Sequence, residues 1–140
     1  MKTEKDFEDL LRSFNKHKVK YCIIGAYAVA FYSRPRYTKD LDVVIEPSIG
    51  NGQRIVRALI DFGFKSLGLT EKDFTEEGQV IQLGYEPIRT DILTSLPGIA
   101  FSKIWKNKKS GKYGRQKVYF IGLNELKESK RKSERKQDQA

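Results

Sequence analysis

One cysteine and one histidine in 140 residues exclude several chemistries at the outset. Cys22 has no partner for an internal disulfide, and its place in the apolar run Tyr21-Cys22-Ile23-Ile24 marks it as a buried thiol. His17 stands alone, so a histidine-based zinc cluster is not available. No apolar run nears the roughly 20 residues of a membrane-spanning helix, and the N-terminus MKTEKDFEDL lacks the apolar stretch of a secretory signal. A cytoplasmic protein is expected. Neither a Gly-x-Gly-x-x-Gly nor a Walker pattern is present, which leaves dinucleotide-binding and P-loop readings without support. No repeat or interdomain linker interrupts the chain, whose length suits one domain with one modest core.

A further absence concerns charge of one sign. Residues 101–124 contain no Asp or Glu, yet hold Lys103, Lys106, Lys108, Lys109, Lys112, Arg115 and Lys117, so most of the net charge of +9 lies in one segment. Such a field attracts the phosphates of a nucleotide or a nucleic acid, and it equally suits a solvated lysine-rich face.

Hydrophobic periodicity supplies the elements. Phe7, Leu10, Leu11 and Phe14 fall at i, i+3, i+4 and i+7 of a first helix that Thr3 can cap. Val19 to Ile24 reads as a buried strand ending at Gly25, followed by a short helix from Tyr27 to Tyr32 that Pro35 stops. From Asp40 to Glu46 the pattern alternates, which sends Asp40 and Asp42 to the same face. A helix from about Gly52 to Phe62 should stop at Gly63, and the acidic stretch around Glu71 to Glu77 reads as a solvent-facing loop or single turn. Val80–Leu83 and Ile88–Leu93 are expected as strands joined by a turn through Gly84, Tyr85, Glu86 and Pro87, with Asp91 in mid-strand. A short amphipathic helix over 98–106 and a strand from Val118 to Ile121 precede a charged helix. Beyond Leu126 no large apolar residue remains, so residues 1–126 are expected as the working domain and 127–140 as a basic tail.

Phosphoryl transfer to a hydroxyl needs divalent cations at the triphosphate, a group to activate the hydroxyl, and donors that hold the phosphates in line. Carboxylates at i and i+2 of one strand can reach a shared pair of Mg²⁺ or Mn²⁺ ions held ~3.5–4 Å apart. A third, Asp91, lies inside an apolar strand, where a carboxylate needs a partner or a metal to offset its desolvation. Arg89, two residues away on the same face, offers a plain salt bridge as the alternative. Gly25 lies where a strand turns into a helix, a position whose backbone N–H groups and helix dipole suit phosphate oxygens, although a tight turn alone also calls for glycine. Arg36, Thr38 and Lys39 stand between this turn and the acid pair as candidate phosphate ligands, and Lys103 and Lys106 as further candidates for a triphosphate or an RNA backbone.

The order Ile24-Gly25-Ala26, short helix, Arg36-x-Thr38-x-Asp40-Leu41-Asp42-Val43 and distant Asp91 resembles the DNA polymerase beta-like nucleotidyltransferase superfamily. The run GAYAVAFYSRPRYTKDLDVVIE is similar to its small prokaryotic members related to abortive-infection toxin nucleotidyltransferases, and the likeness extends to about Trp105. It implies an α/β (α+β) nucleotidyltransferase fold with a mixed twisted sheet of about four to five strands flanked by helices. It also implies that Asp40, Asp42 and Asp91 ligate Mg²⁺, that Asp91 assists the acceptor hydroxyl, and that Gly25-Ala26 contacts the triphosphate. The reaction implied moves a nucleoside monophosphate from a nucleoside triphosphate to a hydroxyl of an RNA end or a protein side chain, as in the toxin of a toxin-antitoxin pair. Ala26 departs from the Gly or Ser usual there, leaving only a backbone N–H for the phosphates. Relatives often carry further helical material after the region of Leu126–Lys130, so a partner subunit or a cognate antitoxin is an expected partner. Two other readings fit the same residues: a catalytically degenerate module that binds nucleotide or nucleic acid through 101–124, and one subunit of a two-component nucleotidyltransferase.

Overall fold

The computed structural model of the chain describes residues 4–34, 38–63, 68–85 and 88–139. The elements run α1 (Lys5–Lys16), β1 (Tyr21–Ile24), α2 (Gly25–Tyr32), β2 (Asp40–Ile45), α3 (Ile49–Phe62), a 3₁₀ turn (Glu71–Phe74), β3 (Val80–Tyr85), β4 (Ile88–Leu93), α4 (Phe101–Lys106), β5 (Lys109–Tyr113), β6 (Gln116–Phe120) and α5 (Leu123–Gln139). The strands form one mixed sheet in the order β3-β4-β2-β1-β6-β5. β2 runs parallel to β4 and β1 parallel to β6, while β1/β2, β3/β4 and β5/β6 are antiparallel.

All four residues of β1 are buried, as a strand covered on both faces requires. Against the sheet pack the apolar stripe of α1, with Phe7, Leu10, Leu11 and Phe14, and that of α3, with Ile55, Ala58 and Leu59. Where the two helices meet, Ser13 Oγ donates to the carbonyl of Ala58 at 2.7 Å. Thr3 lies outside the described residues, and the N-cap position of α1 is Glu4. α3 begins three residues earlier than its apolar pattern suggests, because the Ser48 side chain accepts from the Asn51 N–H and caps it, and it ends at Gly63 in the left-handed conformation as anticipated.

The sheet has six strands, not the four to five expected from the sequence. The extra one, β5, is the polar segment KSGKY, whose burial is confined to Tyr113, so no alternation advertises it. It is an edge strand, and its hairpin partner β6 is reached through the two-residue turn Gly114-Arg115. The acidic stretch after residue 70 forms a single 3₁₀ turn, one of the two forms expected, with a capping box between Thr70 and Asp73, but it is not wholly solvent-facing, since Phe74 is completely buried. α5 continues without interruption from Leu123 to Gln139 and so crosses residue 126. Pro35, Glu86 and Pro87, assigned to a helix stop and a turn, lie outside the described residues. Among the described residues no helix is long and apolar enough to cross a membrane.

One buried side chain ties the start of β1 to the end of β2. Asn51 is fully buried; its Oδ1 accepts from the Lys20 N–H at 2.8 Å, and its Nδ2 donates to the carbonyls of Lys20 at 3.0 Å and Glu46 at 3.1 Å. Asn51→Ala leaves the Lys20 N–H without a partner and takes one of two donors from the carbonyls of Lys20 and Glu46, which keep the Glu46 and Ser48 N–H groups, and a loss of about 1–3 kcal/mol is expected. A urea titration checks this: the midpoint should fall with the slope unchanged.

Candidate active site

β2 and β4 pair in parallel with Asp40 opposite Arg89 and Asp42 opposite Asp91. Paired residues of neighbouring strands share a face, so the alternation that sets Asp40 and Asp42 together also sets Asp91 and Arg89 beside them. On the other side of β2, Asp42 is in register with Ile24, the last residue of β1. Gly25 follows immediately, in the left-handed region at φ +68°, and opens α2. A Cβ on Gly25 would collide with Asp42 Oδ2 and lie 3.1 Å from its Cγ. The turn at Gly25 and the acid set are therefore one site.

The approach to β2 is fixed from α2. Tyr27 Oη donates to the carbonyl of Thr38 at 2.6 Å, and Tyr27 Oη in turn accepts from Tyr113 Oη at 3.1 Å. The Asp40 N–H donates to Thr38 Oγ1 at 3.2 Å. These bonds set where β2 begins and hence which residues face Gly25.

Three acids at close quarters with one arginine make an electrostatically unsatisfied site. Arg89 Nη2 stands 3.7 Å from Asp40 Oδ2, and its Nε stands 3.4 Å from Asp91 Oδ1. Asp40 Oδ1 and Asp91 Oδ1 are nonetheless buried with no hydrogen-bond partner. Burial, then the charges of Asp91 and Asp40, push the Asp42 carboxyl up to about 6, while Arg89 pulls the other way.

That shift has a defined sign for stability. The folded-state value lies above the ordinary 3.8, so between the two values the folded chain keeps a proton on Asp42 that the unfolded chain has lost. The stabilising contribution of protonated Asp42 is complete below about pH 4 and is lost as pH rises through about 6. The stability gap between the wild type and Asp42→Asn should therefore be near zero at the acid end and widen toward neutral pH in favour of the variant. Urea midpoints measured across that range check it, and a gap independent of pH would contradict it.

Among the described residues, no three His, Cys, Asp or Glu side chains are gathered as a metal-binding group. The guanidinium of Arg89 lies among the acids instead and supplies part of the countercharge. The donor set itself suits a hard divalent cation: all oxygen, three carboxylates on one face, with Asp40 Oδ1 and Asp91 Oδ1 buried and accepting no hydrogen bond, the latter facing Arg89 Nε at 3.4 Å.

A groove of about 640 Å³ opens beside Gly25, walled by Ile24, Leu93, Leu96 and Ile121 and closed on the α5 side by Leu126, Ser129, Lys130 and Ser133. α5 is held there by Lys132 Nζ donating to the carbonyl of Gly98 at 2.7 Å and by Glu128, which pairs with Lys103 at 3.0 Å and Lys132 at 3.2 Å.

In structure the chain is similar to a proposed nucleotidyltransferase from Thermotoga maritima, with a TM-score of 0.68 over 96% of this chain and 86% of that one, at 13% sequence identity. It has the nucleotidyltransferase fold. At that identity the likeness carries the fold and not the chemistry. No family model matches the chain, and no curated protein matches it in sequence.

Within the nucleotidyltransferase fold the residues singled out from the sequence separate into groups. Asp40, Asp42, Asp91 and Gly25 come together, and Ala26 follows Gly25 in the first turn of α2. Thr38 adjoins them, with its hydroxyl and carbonyl engaged in backbone geometry. The Lys39 side chain is exposed, while its carbonyl accepts from the Arg89 N–H at 3.1 Å. Arg36 lies outside the described residues. Lys103 and Lys106 are on α4, Lys103 paired with Glu128 and Lys106 exposed, and neither figures among the charges acting on Asp42.

Three features escaped the sequence reading. Arg89 was legible as a partner of Asp91, but its reach to Asp40 follows only from the β2/β4 register. Gln82 is opposite Asp91 on β3 for the same kind of reason. The α5 wall had a signal: Leu126, Ser129, Lys130 and Ser133 fall at i, i+3, i+4 and i+7, so they share a helix face.

Proposed function

We propose that the chain is a metal-dependent nucleotidyltransferase that moves a nucleoside monophosphate from a nucleoside triphosphate to a hydroxyl acceptor. The observation that carries this reading is the row of three carboxylates shared by β2 and β4, with two buried oxygens that accept no hydrogen bond, against the left-handed turn that opens α2.

In this reading Asp40, Asp42 and Asp91 hold Mg²⁺ or Mn²⁺, with Arg89 released from its pairing with the acids. The ions supply charge neutralisation at the triphosphate and acidify the acceptor hydroxyl. The backbone N–H groups of Gly25 and Ala26, at the positive end of α2, donate to phosphate oxygens, so the lack of a hydroxyl at Ala26 removes one donor of several. The groove between Leu96 and α5 receives the nucleoside, with the Lys130 ammonium facing the phosphates; its volume is ordinary for a small-molecule site. The acceptor oxygen forms a bond to the α-phosphorus as the bond to the bridging oxygen breaks, pyrophosphate leaves, and Asp91 takes the hydroxyl proton. Lys39, Lys103 and Lys106 are proposed as outlying cations for the phosphates or an RNA acceptor, and Arg36, from its place in the sequence, as a further phosphate ligand.

The finer setting rests on sequence resemblance alone: a small abortive-infection-type toxin of the cytoplasm, acting on an RNA end or a protein side chain, and governed by a cognate antitoxin or partner subunit. The test incubates the protein with Mg²⁺, then Mn²⁺, with each nucleoside triphosphate labelled at the α- or the γ-phosphate, and with RNA and protein pools separately. Label should pass from the α position only and stop on chelation. Metal-dependent nucleotide binding without transfer to either pool would instead make the chain a binding module.

A further inference from the structure

A second cavity lies at the end of β1 remote from Gly25. It is a cleft of about 430 Å³ lined by Lys18, Lys20, Lys117, Trp105 and Tyr119, among others. The two rings, both half-buried, meet edge to face with centroids 5.4 Å apart. Lys108 Nζ lies 4.0 Å from the centroid of Trp105 and 5.3 Å from that of Tyr119, and Lys117 Nζ lies 5.9 Å from the latter. Among the described residues, no carboxylate lines the cleft. Of these four lysines, Lys20 pairs with Glu46 at 3.4 Å, Lys108 adjoins the cleft with its Nζ donating to the carbonyl of Trp105 at 3.2 Å, and Lys18, Lys108 and Lys117 have no acidic partner among the described residues.

Lys18 adds a conformational argument. It is the one non-glycine residue among the described ones with a left-handed backbone, φ +59°, and it follows the C-cap His17 of α1, where glycine is the usual occupant. A lysine there bears a conformational cost that glycine would avoid, and its side chain lines the cleft.

We propose that this cleft binds single-stranded nucleic acid, with bases against the Trp105 and Tyr119 rings and phosphates against Lys18, Lys108 and Lys117. Aromatic faces and ammonium groups in one concavity match a ligand that alternates flat bases with phosphates. An acidic peptide would use the lysines but has no use for the rings, and a duplex keeps its base faces stacked away. Lys20 immediately precedes β1 and Gly25 immediately follows it, so five residues of extended chain, roughly 16 Å at the rise of a strand, separate the cleft from the acid set. The site is distinct, and the inference stands whether or not transfer occurs.

Trp105 is the chain's one tryptophan, so its emission reports on the cleft directly. The experiment titrates the full chain with a short oligouridylate or oligothymidylate, following Trp105 emission and, in parallel, the anisotropy of a labelled oligonucleotide. Saturable quenching is expected. For three phosphate contacts the affinity should fall roughly 20-fold between about 50 and 200 mM salt. Trp105→Leu should weaken binding about tenfold, the loss of one stacked base. Lys18→Gln with Lys117→Gln, at exposed positions where folding is not at stake, should weaken it at least as much and flatten the salt dependence. Binding that leaves Trp105 emission unchanged, or unaltered affinity in the lysine variant, would overturn the inference, as would competition by poly-glutamate as effective as that by oligouridylate. Asp42→Asn should bind with unchanged affinity, which separates this test from the test of transfer.

Discussion

Gly25→Ala is expected to lose both transfer activity and a large part of its stability. Two costs combine at this position. A left-handed backbone disfavours any Cβ, by roughly 1–2 kcal/mol. The added atom also meets the Asp42 carboxylate, whose own Cβ and Cγ lie only 3.1 Å from it, so the acid must turn away from its place beside Asp91. Together a destabilisation of about 2–4 kcal/mol is expected, a drop of very roughly 5–15 °C for a chain of this size. Gly63→Ala is the control. Gly63 is also left-handed, at φ +115°, but a Cβ there meets nothing within 4 Å. It should show the backbone cost alone, about 1 kcal/mol, with transfer intact. Thermal melts and label-transfer rates on the two variants decide it: equal losses in both would mean that the Gly25–Asp42 contact does not matter.

Asp42→Asn should reverse the usual link between lost function and lost stability. Removing a carboxylate from the proposed metal set is expected to slow transfer by at least about 10³-fold, equivalent to about 4 kcal/mol of transition-state stabilisation. The fold should gain at neutral pH, because the ionised Asp42 is desolvated and repelled by Asp91 and Asp40. With solvent screening of a part-exposed group, the gain is on the order of 1 kcal/mol. An active variant would remove Asp42 from the chemistry, and a destabilised one would mean that its charge is fully compensated in the fold.

Both results depend on contacts that no local reading of the chain contains. Alternation in Asp40-Leu41-Asp42-Val43 shows that two acids share a face, because side-chain direction in a strand has a period of two. It does not show which strand lies alongside. Parallel pairing of β2 with β4 brings Asp91 to Asp42 and Arg89 to Asp40, and antiparallel pairing with β1 brings Gly25 to the same place.

The sequence by itself determined the elements whose signals are local: the apolar stripe of α1, the buried run of β1, the two faces of β2, and α3 with its stop at Gly63. Periodicity and capping act over a few residues and need no distant partner. Tertiary structure alone decided the polar edge strand β5, the burial of Phe74, the groove wall formed by α5 and the insertion of Arg89 among the acids. Each of these depends on a neighbour far along the chain. An edge strand needs only one partner and no apolar face, a lone aromatic is buried only if another element covers it, and a charged side chain takes whichever opposite charge the register brings within reach.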